Sequence, residues 1–393
     1  MKAWAMLAAC VLVVAGWGAS ATANPAGRVG RADQSHAIYP AGQTNPANPP
    51  SPPDRAGQEN VAEPAGARQT GTKKRMSIGM DAEPAGSRPT TNLRLAAPLV
   101  PQAVPLLAAG ESALFQKAGI GASFSLWRSP EQLRALVANG QVDAVVAALP
   151  TAAVLAQRGV PCVVLAAYAA PLWLVGPPDL AREGEPPFDM LRRLLNREIL
   201  LPFGPGNMPE LALRVLAAQS SLDCPLRHCG SALEAVNLLR LGQGGAALLP
   251  EPSASLATAG GGMVRLLDLR DAWSTAFPEH TDMPTACLMV VGATARDPAL
   301  RALLRQGFVE GMHEMENNPQ ASLVTAKRHS PELGVVLERA AAEERPFMSS
   351  SVLVGERGKK SALFMLQRLL ELTPASVGGS LPTKDFWDMG REE

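Results

Sequence analysis

From residue 93 onward, short apolar runs alternate with capped helical stretches, and this alternation limits the fold more than any other feature. The runs at 93–97, 122–126, 142–149, 162–167, 198–203, 246–249, 264–267 and 286–291 have strand length. Between most of them lie stretches of helical period. Strands separated by helices of this length build right-handed βαβ units, and so parallel sheets covered on both faces. The 142–149 run is too continuously apolar for an exposed strand and belongs in a sheet interior. Helix starts are marked. Ser129-Pro130-Glu131-Gln132 offers an N-cap, a proline at the first position and Gln at the third. Asn207 with Glu210, and Ser231 with Glu234, repeat the capping box, while Gly140, Gly159 and Gly242 close helices. Further helices are expected from about 104 to 116, after Asp297-Pro298, and over 320–328, 331–342 and 359–371.

The amino-terminal quarter differs in kind. Lys2 precedes an almost purely apolar run to Gly18, and Ala21-Thr22-Ala23 offers a cleavage site before Asn24, so residues 1–23 are expected to be a secretion signal. The apolar run is too short for a comfortable membrane span, and no later segment reaches that length. Leu7-Ala8-Ala9-Cys10 looks like a lipoprotein box but sits before the apolar run has ended. Residues 24–91 hold ten prolines, eight glycines and one aromatic, Tyr39, with Ala-Glu-Pro-Ala-Gly at 62–66 and again at 82–86. Such a segment buries too little apolar surface to offset its chain entropy, so a spacer is expected. Its Lys73-Lys74-Arg75 cluster reads as solvated charge.

About 300 residues remain, enough for two lobes with a core each. A formal net charge of zero gives no electrostatic support to a nucleic-acid partner. Cys162, Cys224, Cys229 and Cys287 follow the signal; in an exported chain Cys224 and Cys229, flanking a four-residue loop, are candidates for a disulfide, with free thiols the alternative. His228 between them falls short of a zinc ligand set, and no metal is expected. The histidines are scattered, and no nucleophile–base or paired-carboxylate arrangement stands out, so no catalytic residue and no cofactor is expected.

One turn gathers much of this. The run Ala246-Ala247-Leu248-Leu249 stops at Pro250-Glu251-Pro252, and Ser253-Ala254-Ser255 opens a helix. Two prolines two apart force the chain to turn, which places Glu251 at the carboxyl end of a buried strand, where ligands sit in open α/β sheets.

Several segments resemble the extracytoplasmic substrate-binding proteins of ATP-binding-cassette importers, type II fold, in their nitrate, sulfonate and thiamine-precursor subgroup. They are Leu93-Arg94-Leu95 through Pro105-Leu106-Leu107, Asn139-Gly140-Gln141-Val142-Asp143-Ala144, the Pro250-Glu251-Pro252 turn, and Val377-Gly378-Gly379-Ser380-Leu381-Pro382 with Phe386. The resemblance spans about 92–390. It implies an α/β protein of two lobes, each a mostly parallel sheet flanked by helices: 92–175 with 286–393, and 176–285. The two crossing strands would lie near Leu174-Val175-Gly176 and Pro284–Ala286, with the ligand held between lobes that close by hinge bending.

On that frame the cleft is lined by Val100, Pro101 and Gln102 and by Leu149, Pro150 and Thr151 from the first lobe. The second offers Gly204, Gly206 and Asn207 and Glu251, Pro252 and Ser253. Each group precedes a helix, whose first amides can face an anionic group. An ionised Glu251 would instead suit an amine. Trp127, Trp173 and Phe203 could stack on a flat ligand. The apolar stretch 167–172 and the Pro101-Gln102 pair favour a less polar ligand than the family's. The implied function is capture of a small molecule and its delivery to a membrane permease by a periplasmic, monomeric protein. The alternatives are an enzyme of the same fold, related to the chorismate-dehydrating enzymes of menaquinone synthesis, and a ligand sensor without transport.

Overall fold

The structure is a computed structural model that describes residues 91–222, 224–341 and 351–391. The expected signal and nearly all of the expected spacer fall outside these residues, and Thr91 already belongs to the first strand.

The elements, in chain order, are β1 (Thr91–Pro98), α1 (Ala103–Glu111), α2 (Ala113–Lys117), β2 (Ile120–Trp127), α3 (Pro130–Ala138), β3 (Ala144–Ala148), α4 (Leu149–Gln157), β4 (Cys162–Ala169), β5 (Leu172–Gly176), α5 (Pro187–Leu194), β6 (Ile199–Pro202), α6 (Met208–Gln219), β7 (Leu226–Cys229), α7 (Ala232–Arg240), β8 (Ala246–Pro250), α8 (Ser253–Thr258), β9 (Val264–Asp268), α9 (Leu269–Ala276), β10 (Ala286–Val291), α10 (Pro298–Asn317), α11 (Pro319–His329), α12 (Pro331–Ala341), β11 (Ser351–Leu353) and α13 (Gly355–Leu372). None of the described helices is long and apolar enough to cross a membrane.

The strands form two sheets, in the orders β11-β4-β10-β3-β1-β2 and β7-β6-β8-β5-β9. In the first, β1 pairs parallel with β2 and β3; in the second, β6 pairs parallel with β7 and β8. The exceptions follow from connectivity. A strand entering from the other sheet arrives at the carboxyl edge and must run backwards. Accordingly β5 is antiparallel to β8 and β9, and β10 is antiparallel to β3 and β4. This gives the two-lobe α/β architecture expected from sequence, with helices on both sheets.

The first crossing lies elsewhere than expected. Leu174, Val175 and Gly176 are inside β5, bonded to β8 and β9 in the second sheet, so the first passage is at Ala170-Pro171. The apolar stretch from 162 to 176 hides this corner, which Pro171 marks. The return runs through 277–285 into β10.

Buried faces explain the strand composition. Leu93, Leu95 and Ala97 point into one core with α1 and α10, while Ala96 points into the other. All eight residues of β4 are buried, as a strand covered on both faces requires. One apolar core continues from the first lobe (Leu133, Val145, Val164) into the second (Leu201, Leu211, Trp273), with Met365, Leu366 and Leu369 of α13 between them. The outer face of the second sheet is sealed by α7 and α8 over Leu200, Ala247 and Leu249.

Two of the three capping boxes form as the sequence predicts. Ser129 and Ser231 each accept the amide three residues on, at 3.2 and 3.1 Å. Gly140 and Gly242 take left-handed conformations, φ 60° and 69°, where the helices stop. The helix expected over 104–116 is broken at Ser112, whose hydroxyl caps the short α2. Asp143 of the Gly-x-x-Asp step is structural: its carboxylate takes the Arg94 amide (2.8 Å) and guanidinium (2.6 and 2.9 Å), pinning β3 to β1.

Candidate functional site

The carboxyl ends of β1 and β3 in one lobe and of β6 and β8 in the other carry the turns expected to bind ligand. Pro101 and Gln102 are buried beneath the first turn. The Ala103 and Val104 amides bond to the Val100 and Pro101 carbonyls, both at 3.0 Å, so two amides at the start of α1 are already used. At α4 the Leu149 amide donates to Thr285 O (3.1 Å) and Pro150 has none to offer, which leaves the first-turn amide of Thr151 without an intrahelical acceptor.

Thr285 is a residue that sequence reading missed. It is 4% exposed. Its carbonyl accepts from Leu149, its amide donates to Tyr168 O (3.1 Å), and its hydroxyl accepts from the Ala170 amide (3.2 Å). One side chain and its backbone thus tie both crossings to the start of α4. Only its place between Pro284 and a strand could have signalled this.

In the second lobe Phe203 follows β6 with φ 76° and is 40% exposed. A bulky residue in the left-handed region is strained, and such strain clusters where ligands bind. Gly204, Pro205 and Gly206 are exposed after it. Asn207 does not cap α6, as the capping box implied. Its amide instead donates to Gly204 O (2.6 Å), folding the loop on itself. Glu210 holds the loop from below: its carboxylate accepts the Gly206 amide (2.7 Å) and Arg214 Nε (2.6 Å), and lies 3.2 Å from His228 Nε2. Burial pushes the Glu210 carboxyl up, but its bonds to Arg214, Gly206 and His228 outweigh burial and hold it below the ordinary carboxylate range.

Glu251 is neither a surface carboxylate nor a free anion in the cleft. It is 5% exposed and pairs with Arg265 Nη2 at 2.7 Å, while Ser255 donates to it from its hydroxyl (2.7 Å) and amide (3.1 Å). Arg265 also lies 5.3 Å from the centre of the Trp173 ring. The expected amine partner therefore loses its counter-charge. Ser253 opens α8 with first-turn amides toward the same edge. Asp268, at the end of β9, is likewise occupied: it caps α9 and binds Arg270 at 2.6 Å. Glu210, Glu251 and Asp268 thus each have their own arginine.

Of the three aromatics, Trp173 packs against the outer core of the second lobe rather than lying open. Trp127, at the end of β2, is half-buried, and its indole N–H finds no acceptor among the described residues. Phe203 is the one with an open ring. The proposed bridge is absent: Cys224 and Cys229 are both thiols. The four extended residues of β7 rise about 10 Å before Cys229, beyond the ~7 Å between Cα atoms that a disulfide spans.

This architecture is shared with solved structures of transport proteins. No protein-family model and no curated protein matches the chain. Its fold, however, is that of the solute-binding components of ATP-binding-cassette transporters. An ABC transporter protein of Parabacteroides distasonis superposes with a TM-score of 0.58 at 17% identity, covering 75% of this chain and 98% of that one. The periplasmic aliphatic sulphonate-binding protein SsuA of Escherichia coli gives 0.55 at 14% identity, covering 74% and 96%. The periplasmic nitrate-binding protein NrtA of Synechocystis PCC 6803 gives 0.52 at 13% identity, covering 72% and 81%.

Proposed function

We propose that this chain is the solute-binding protein of an ATP-binding-cassette importer. It captures a small molecule between its lobes and hands it to a membrane permease. It acts as a monomer, in the periplasm, where the amino-terminal signal would deliver it, and by binding rather than catalysis. The observation that carries the reading is the pair of crossings at 170–171 and 277–285, which sets the carboxyl edges of two sheets toward one another. In α/β folds ligands bind outside those edges.

The ligand this cleft favours is uncharged and carries a flat ring. Glu210, Glu251 and Asp268 are each matched by an arginine, so the rim offers neither a free anion nor a free cation from these groups. The Phe203 ring supplies a face for stacking, and the first-turn amides of α4, α6 and α8 supply hydrogen-bond donors. Val100 in the first lobe and Pro252 in the second, both half-buried, add apolar wall.

Native mass spectrometry of the full chain, purified from its own cells without refolding, tests the function. A bound small molecule that is released on unfolding is the expected result. A protein of bare mass that also gains no thermal stability from a periplasmic extract of low-molecular-weight solutes would contradict it.

A further inference from the structure

The carboxyl-terminal helix α13 carries Arg357, Ser361 and Phe364 at spacings of four and three, which puts them on one stripe. All three meet the segment that returns from the second lobe to the first. Arg357 forks onto Asp282, with Nε to Oδ2 at 2.9 Å and Nη2 to Oδ1 at 2.8 Å, and the Ser361 hydroxyl donates to the same carboxylate at 3.4 Å. One turn on, Phe364 stacks face to face on His280, with ring centres 3.9 Å apart and planes 2° from parallel. Its edges meet Phe277 at 5.2 Å and Trp273 at 6.0 Å. Trp273 in turn donates its indole N–H to His280 O at 2.7 Å, which fastens the end of α9 to the same residues.

The opposite side of α13 is fixed to the first lobe. The Gly355 amide donates to Met389 O at 2.8 Å. Gly358 lies so close to Leu353 of β11 that a Cβ would come within 2.6 Å of its backbone, and β11 is hydrogen-bonded to β4. Met365, Leu366 and Leu369 enter the core that runs through both lobes. A helix anchored in one lobe therefore grips the chain arriving from the other through residues 273, 277, 280 and 282.

We infer that α13 is an interlobe clasp, which holds the two lobes in the observed arrangement until the Arg357–Asp282 fork and the aromatic cluster at Phe364 let go. Bending between lobes needs backbone rotation in both crossings. The first, Ala170-Pro171, is short. The second is the longer and the more able to rotate, and it is the one the stripe holds. The clasp depends on the two-lobe fold and not on the transport reading, so its failure would leave that reading standing.

The test is a distance measurement between spin labels at Gln116→Cys in α2 and Ala218→Cys in α6, both exposed, in a Cys224→Ser background. The otherwise unaltered chain is expected to give one narrow distance. Combining Arg357→Ala with Phe364→Ala is expected to add a second, longer distance, and Arg357→Ala alone to add a smaller share of it. Arg357 is largely solvated, so its removal leaves the fold intact even where the double variant does not melt cooperatively. The same single distance in every variant would overturn the clasp. Two distances already present in the unaltered chain would overturn it as well.

Discussion

Phe203 combines a cost with a use. Its left-handed backbone, φ 76°, costs about 1–2 kcal/mol for a residue with a Cβ, and glycine would adopt it freely. Phe203→Gly is therefore expected to raise the free energy of unfolding by about 1 kcal/mol once the added freedom of the unfolded chain is counted, while weakening ligand binding at least tenfold. Chemical denaturation and ligand titration of the same variant check both halves. Glu251 makes the opposite case, since its role is internal. Glu251→Gln removes the counter-charge of an arginine only 13% exposed, and a loss of about 3 kcal/mol is expected by thermal unfolding. Thr285→Val keeps the shape but leaves the Ala170 amide without its acceptor, for an expected loss of about 1–3 kcal/mol. If Thr285→Val were neutral, the crossings would not depend on that hydroxyl.

At the scale of elements, the loop between β6 and α6 depends on one carboxylate. Glu210 has a folded-state pKa below its ordinary value, so the stability it contributes is present above the unfolded carboxylate pKa and is lost as pH falls through the folded one. Stability measured from pH 7 downward should fall more steeply in the unaltered chain than in Glu210→Gln, and an identical acid profile in both would exclude the linkage. Elements are legible in the sequence to unequal degrees, for physical reasons. The core strands β3, β4, β8 and β10 stand out because both faces are buried and their residues are apolar throughout. Strand β7, Leu-Arg-His-Cys at a sheet edge, carries no such run and escapes a reading by pattern. The helices α5 and α9 escape it too, although Asp268 caps the latter. The turn at Pro250-Glu251-Pro252 lies where the prolines put it, but the fate of its carboxylate is not local. Arg265 lies fourteen positions on, in a strand that pairs across β5, and local sequence carries no trace of that contact.

At the scale of the molecule, composition foretells two lobes and the alternation foretells their sheets, but the linkage between lobes is visible only in three dimensions. A single core and the helix α13 join them more firmly than two crossings alone would. What such a molecule binds turns on whether its rim offers charge. The direct measurement is a thermal-shift comparison of the full chain and Phe203→Ala against nitrate, methanesulfonate, benzoate and the uncharged ring compound uracil. A ligand at a hundred times its Kd stabilises by about 2.7 kcal/mol, which shifts the melting temperature by several degrees. The account predicts that uracil raises the melting temperature of the unaltered chain, that Phe203→Ala loses the shift, and that the three anions leave both unmoved. A shift with nitrate or methanesulfonate that survives in Phe203→Ala would contradict it.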